Sequence, residues 1–156
     1  MFSNIPFDIY RSTKTFTNLP CAHRQWRHEG HCSKIHGYSR SFHFTFGAKS
    51  LTECGFVVDF SDLKDIRKWL VSMFDHTLLL NQDDPLLRDK NFMALDGDAF
   101  TLIILPNVGM EGTAKYVFEH VNTLILNKTD ERAWVVSVEV RENDKNSAIF
   151  TRAQEC

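Results

Sequence analysis

Five of the chain's seven histidines, His23, His28, His31, His36 and His43, fall within 21 residues, and Cys32 lies among them. Imidazole ligates metals and exchanges protons near neutral pH, so this crowding points to a metal centre or to acid–base chemistry. In an extended strand, residues two apart share a face, which puts His36 and Tyr38 on one side and His43 on the other. If a strand ending at His23 pairs with one starting at His36, two imidazoles meet across the hairpin. With one further donor they make a plausible zinc site with an open fourth position, as a catalytic metal requires. Taken singly, each histidine reads more simply as a surface or satisfied core residue.

Three other groups could do chemistry. Cys32 stands four residues before His36, between His31 and Lys34. Cationic neighbours or a metal would raise its thiolate fraction, which a base or nucleophile needs, whereas a structural thiol needs neither. Asp75 directly precedes His76, and a carboxylate can orient an imidazole and make it more basic, although neighbours in sequence need not touch. Glu142 ends an alternating strand before a polar turn. A carboxylate there is either solvated or able to hold a guanidine-like ring edge through two parallel hydrogen bonds.

The elements that must position these groups are legible from pattern. Residues 12–23 and 35–46, rich in Thr, Phe and Tyr, predict two strands joined by a polar loop over 24–34. GFVVDF at 55–60 predicts a short buried strand, after which Ser61 caps a helix carrying Leu63, Ile66, Trp69, Leu70 and Phe74 at helical spacing. DHTLLLNQDDP from Asp75 reads as turn-rich, and FTLIIL at 100–105 as a strand. Residues 111–126 predict a second helix, 134–141 an alternating strand, and 147–152 a final strand after a turn. The order predicts an α+β fold with a mainly antiparallel sheet and its helices on one face.

The length of 156 residues predicts one domain, and no linker, repeat or low-complexity tract divides it. Eighteen basic against twenty acidic side chains, a net charge of −2, argue against a polybasic partner of nucleic acid or membrane. The N-terminal residues lack a signal peptide's apolar core, and no run approaches the roughly 18 apolar residues of a membrane span. A soluble, cytoplasmic protein is the expectation. Cys21, Cys32, Cys54 and Cys156 form no CxxC pair and are expected to be free thiols.

Six fragments, in order, carry a resemblance: AHR at 22–24, CSKIHGY at 32–38, GFVVDFSDLK at 55–64, FDHTLLLN at 74–81, EGTAKYVFEHV at 111–121 and VEVRENDKNSAIF at 138–150. Together they resemble the 6-pyruvoyl-tetrahydropterin synthase and 6-carboxytetrahydropterin synthase superfamily. The three residues between Cys32 and His36 resemble the bacterial carboxy type. The resemblance implies a tunnelling fold, a four-stranded antiparallel sheet with two helices outside it, assembled through trimers into hexamers with active sites at subunit interfaces. It implies zinc held by His23 and His36, Cys32 as general base, His76 with Asp75 as its relay, Glu142 as the anchor of the pterin ring, and Glu111 as a second acidic group near the pocket. The implied reaction converts 7,8-dihydroneopterin triphosphate to 6-carboxytetrahydropterin with release of acetaldehyde and triphosphate, in 7-deazaguanine (queuosine) biosynthesis. The alternatives are the pyruvoyl-type synthase and a non-catalytic protein that binds a pterin or purine.

The chain departs from the family pattern in four places. Where the family has a third histidine ligand this chain has Tyr38, so that either His31 replaces it, Tyr38 ligates as a phenolate, or zinc is weak or absent. The loop from His23 to Cys32 is about two residues shorter than expected of the bacterial type. The usual threonine before Glu111 is replaced within VGME. Residues 82–105 look like an insertion, either reshaping the triphosphate entrance or an oligomer contact, or adding an edge strand.

Overall fold

The computed structural model describes residues 8–152. Strands β1 (Tyr10–His23) and β2 (His36–Ala48) form a long antiparallel hairpin whose register sets His23 opposite His36. Beyond β2 lie β5 (Ala133–Arg141) and β6 (Ser147–Thr151), both antiparallel to their neighbours. On the other side of β1 lie β3 (Thr77–Asn81) and β4 (Leu102–Leu105), both parallel, giving the order β4-β3-β1-β2-β5-β6. The four antiparallel strands are thus the expected sheet, extended at one edge into a mixed one.

Helices α1 (Lys64–Phe74) and α3 (Met110–Lys128) cover one face, with the single turn α2 (Lys90–Met93) between them in sequence. Phe42, Phe44 and Phe46, alternating along β2, are fully buried beneath them. Phe42 meets Phe74 of α1 at 4.8 Å between ring centroids, and Phe118 of α3 meets Phe150 of β6 at 5.0 Å. The opposite face carries polar side chains, among them His43, whose Nδ1 lies 2.6 Å from Thr15 Oγ1.

Two irregularities set the facing. Between Phe16 and Leu19 the β1 register slips by one residue, with Asn18 at φ 62°. An extra residue inverts the alternation, so Phe16 and the series Leu19, Cys21 and His23 all point to the helices. A matching slip opposite Thr45 and Phe46 lets both Val135 and Val138 be buried. Without the first slip His23 would face away from the core.

Three expectations are corrected. GFVVDF is not a strand: Gly55 takes φ 81°, Thr52 closes a turn onto Phe56, and the segment leads into a 3-10 turn, Phe60–Leu63, although Val57 and Val58 are buried. That turn is capped by Asp59, whose carboxylate accepts from Ser61 N, and not by Ser61. The TLLLN run, read as turn-rich, is β3. It is buried at every position between β1 and β4, so it shows no alternation. Within 82–105, a 3-10 turn and α2 lead to β4, an edge strand.

Cys21, Cys32 and Cys54 are free thiols, while Cys156 lies outside the described residues. Among the described residues no helix is long and apolar enough to cross a membrane.

Candidate active site

The hairpin delivers His23 and His36 to the open end of the helix-covered face, ring centroids 4.6 Å apart. Glu142, one residue past β5, joins them: one ligating atom from each of the three lies within 4.8 Å of the others. Three donors about 2.1 Å from a tetrahedral metal stand about 3.4 Å apart, so this set reaches that geometry by contracting at most about 1.4 Å.

Their chemistry fits a metal. His36 Nδ1 lies 2.6 Å from Lys34 O, an arrangement in which the ring N–H donates to the carbonyl and the Nε2 lone pair is left for a ligand. His23 is 4% exposed and its Nδ1 has no hydrogen-bond partner. Burial, helped by the charges of Arg40 and His36, pulls its pKa down to about 3. The ring is therefore neutral at pH 7, the form that ligates.

That depression has a stability consequence. Between pH 6.5 and about 3 the unfolded chain binds a proton that the folded His23 refuses, so stability falls as the pH falls through this window. In the metal-free protein this group should contribute a slope of up to about 1.4 kcal/mol per pH unit. Urea midpoints at pH 7 and pH 5, measured for the native chain and His23→Asn, check it. Equal slopes would contradict it.

Beneath the three groups lies a residue the sequence reading passed over. Arg40 is fully buried; its Nη1 donates to Thr113 Oγ1 and its Nη2 to Val108 O, each at 3.1 Å, while Nε has no partner. The pairs Ser41–Arg141 and Phe42–Val140, extended by one step, put Arg40 across from Glu142 on the same face. Burial lowers the guanidinium pKa, opposed by Cys21 and Glu142. The signal was present: in HGYSRSFHF, Arg40 occupies an inward position of the alternation that ends in buried phenylalanines.

The remaining candidates are dispersed. Cys32 sits exposed on the 3-10 turn His31–Ser33, its carbonyl accepting from Gln25 N at 2.7 Å. His31 is exposed on the same turn and does not join the three-residue group. Tyr38 stands edge-on to His36, with centroids 5.8 Å apart, and is 39% exposed. His28 Nδ1 accepts from Gly30 N, a local staple of the loop. Glu111 is exposed in the first turn of α3.

His76 takes φ 57°, its N–H donating to Pro20 O and its Nδ1 2.6 Å from Asp75 Oδ1. It lines an open depression of about 620 Å³ with Pro20, Ala22, Gly37 and Ser39. Cys21 and Tyr38 line the same depression, while Asp75 lies against Phe16, Leu19 and Leu70 on the helix side, so the Asp75–His76 pair stands at the start of β3, outside the group of His23, His36 and Glu142.

Comparison with known proteins assigns this arrangement a lineage. Residues 12–153 match the family model described as 6-pyruvoyl tetrahydropterin synthase. The chain belongs to that family. Among curated relatives of this pterin synthase family member, the 6-carboxy-5,6,7,8-tetrahydropterin synthase of Rickettsia bellii is 39% identical over 69 residues, 44% of this chain and 50% of that protein. The Bacillus subtilis protein of the same name is 28% identical over 121 residues, 78% of this chain and 70% of that protein. The chain therefore spans about half the length of the Rickettsia relatives it matches.

Among solved structures, an uncharacterized Wolinella succinogenes protein superposes with a TM-score of 0.77 at 21% identity, covering 93% of this chain and 99% of that one. Plasmodium vivax 6-pyruvoyltetrahydropterin synthase superposes with a TM-score of 0.69 at 18% identity, covering 93% and 98%. The fold is the tunnelling fold of this pterin synthase family.

Proposed function

We propose that the protein is a zinc-dependent lyase of the 6-carboxy-5,6,7,8-tetrahydropterin synthase type, taking 7,8-dihydroneopterin triphosphate and water to 6-carboxytetrahydropterin, acetaldehyde and triphosphate. The observation that carries it is the meeting of His23, His36 and Glu142 at the end of the hairpin whose loop bears Cys32, in a chain of this family. Relatives bearing the carboxy-type name support that product over the pyruvoyl one.

In this reading His23 and His36 hold the zinc, which when bound polarises the oxygens of the substrate side chain. The Cys32 thiolate removes a proton from that side chain, and the His76 imidazole, oriented by Asp75, returns one. Glu142 fixes the pterin ring through two parallel hydrogen bonds and so lays the side chain beside Cys32. Glu111 adds a negative group at the pocket's edge. Since Asp75–His76 stands outside the group of His23, His36 and Glu142 in one chain, we assign the pair that meets Cys32 to a neighbouring subunit, in a trimer or hexamer with interface sites and in a soluble, cytoplasmic enzyme.

A second assignment for Glu142 has its own support, since its proximity to both imidazoles suits a third zinc ligand in place of the family's missing histidine. Glu142→Gln separates the two. As the ring anchor, the variant keeps its zinc and loses kcat/KM by about 100-fold, the loss of two charge-assisted hydrogen bonds of about 1.5 kcal/mol each. As a ligand, it loses the zinc as well.

Incubating zinc-loaded protein with 7,8-dihydroneopterin triphosphate tests the function. Acetaldehyde and 6-carboxytetrahydropterin should appear in equal amounts and disappear in Cys32→Ala. A zinc-replete chain that binds the pterin without turnover would favour the non-catalytic alternative.

A further inference from the structure

The Cys32 loop is tied down by one residue, Gln25, whose backbone holds the Cys32 carbonyl and whose side chain reaches two other parts of the fold. Gln25 N–H donates to Cys32 O at 2.7 Å. The Gln25 carboxamide oxygen accepts from Asn81 Nδ2 at 3.1 Å, at the end of β3, and its Nε2 donates to Asn107 Oδ1 at 3.4 Å. Both asparagines continue into the start of α3: Asn81 Oδ1 accepts from Val108 N at 3.0 Å, and Asn107 Oδ1 from Gly109 N at 2.9 Å. Gly109 leaves room for this seam, because a Cβ there would lie 2.7 Å from Gln25 Nε2. Flanking ties come from Arg24, which grips Asp84 through Nε at 2.8 Å and Nη2 at 2.5 Å, and from Trp26, whose Nε1 donates to Asp83 Oδ1 at 3.1 Å.

We propose that Gln25 is a positioning residue for Cys32, setting the height of its loop against β3 and the first turn of α3. Its backbone holds the Cys32 carbonyl, and its side chain, the one group in the loop bonded to both Asn81 and Asn107 among the described residues, holds that backbone to the scaffold. A base displaced by about an ångström can lose two orders of magnitude in rate, so this seam bears on turnover without touching substrate. The kinetic part of the proposal rests on Cys32 being the base, as proposed above; the structural part does not.

The test compares Gln25→Ala and Gln25→Glu with the native chain. Alkylation of Cys32 by iodoacetamide, followed on its own peptide, should speed up at least about threefold in Gln25→Ala, with exposed Cys54 unchanged as the internal control. In zinc-loaded enzyme kcat should fall about 10- to 100-fold, with zinc content retained and KM within about twofold. Gln25→Glu keeps the acceptor for Asn81 and should fall between the two. Unchanged alkylation at Cys32 overturns the proposal whatever the kinetics, and so does faster alkylation with unaltered kcat. If the native enzyme turns over no pterin, the lyase reading fails and the alkylation rates alone decide whether Gln25 holds the loop.

Discussion

His23→Ala should lower zinc affinity by more than about 100-fold and abolish turnover in proportion. Losing a group that merely supports a metal ligand costs about 10- to 100-fold, and loss of a ligand itself costs more. His23 is the stronger of the two histidines for this purpose. It is buried, neutral over the physiological range, and carries a ring nitrogen with no protein partner. The alanine variant also removes the one imidazole that the β1 bulge turns toward the helices. Zinc titration by competition with a chromogenic chelator gives the affinity directly. An unchanged affinity in a folded His23→Ala chain would remove the metal centre from this end of the hairpin.

Asp84→Ala should cost about 3 kcal/mol of stability. The Asp84 side chain is fully buried, accepts two bonds from Arg24, and caps the following 3-10 turn through Leu86 N at 2.9 Å. Truncation leaves the Arg24 guanidinium without its counter-charge. Breaking a buried pair on one side costs about 3–5 kcal/mol, reduced here because the Arg24 side chain keeps 20% of its exposure, and loss of the cap adds about 1 kcal/mol. Because Arg24 follows His23 directly, zinc affinity should weaken as well, though by less than in His23→Ala. Chemical unfolding of the metal-free variant, with Arg24→Met/Asp84→Leu as the second arm of a coupling measurement, checks the magnitude. A double variant no more stable than Asp84→Ala would show that the unpaired guanidinium was not the source of the loss.

What the sequence made visible were the groups whose chemistry is local. His23, His36, Cys32, Asp75–His76 and Glu142 are all nameable from residue type and spacing, and the period-two pattern correctly paired His23 with His36 and turned His43 away. The fold was legible where one face of an element is solvated, as in β2, β5 and α1. It was not legible in β3, whose five buried residues carry no alternation. GFVVDF misled for the opposite reason: only Val57 and Val58 of its apolar run are buried, and a turn, not strand pairing, buries them.

The bulge at Asn18 left no mark in composition, yet it decides which face His23 occupies. Long-range consequences of this kind also hid the grouping of Glu142 with the histidines, whereas the inward position of Arg40 was legible in the alternation of β2. That grouping follows from the β2–β5 register, which no local pattern encodes. Likewise Gln25 looks like an ordinary loop residue until β3 and the start of α3 are folded around it.

Tyr38 stands where the family's third histidine ligand would be, and His23, His36 and Glu142 together point to an altered metal centre and not a vanished one. Zinc per chain, in the native protein and in Tyr38→His, after loading with one equivalent of zinc and removal of the excess, distinguishes the two. One zinc per chain is expected in both, with the zinc lost from His23→Ala. A folded native chain that retains no zinc while Tyr38→His retains one would contradict it.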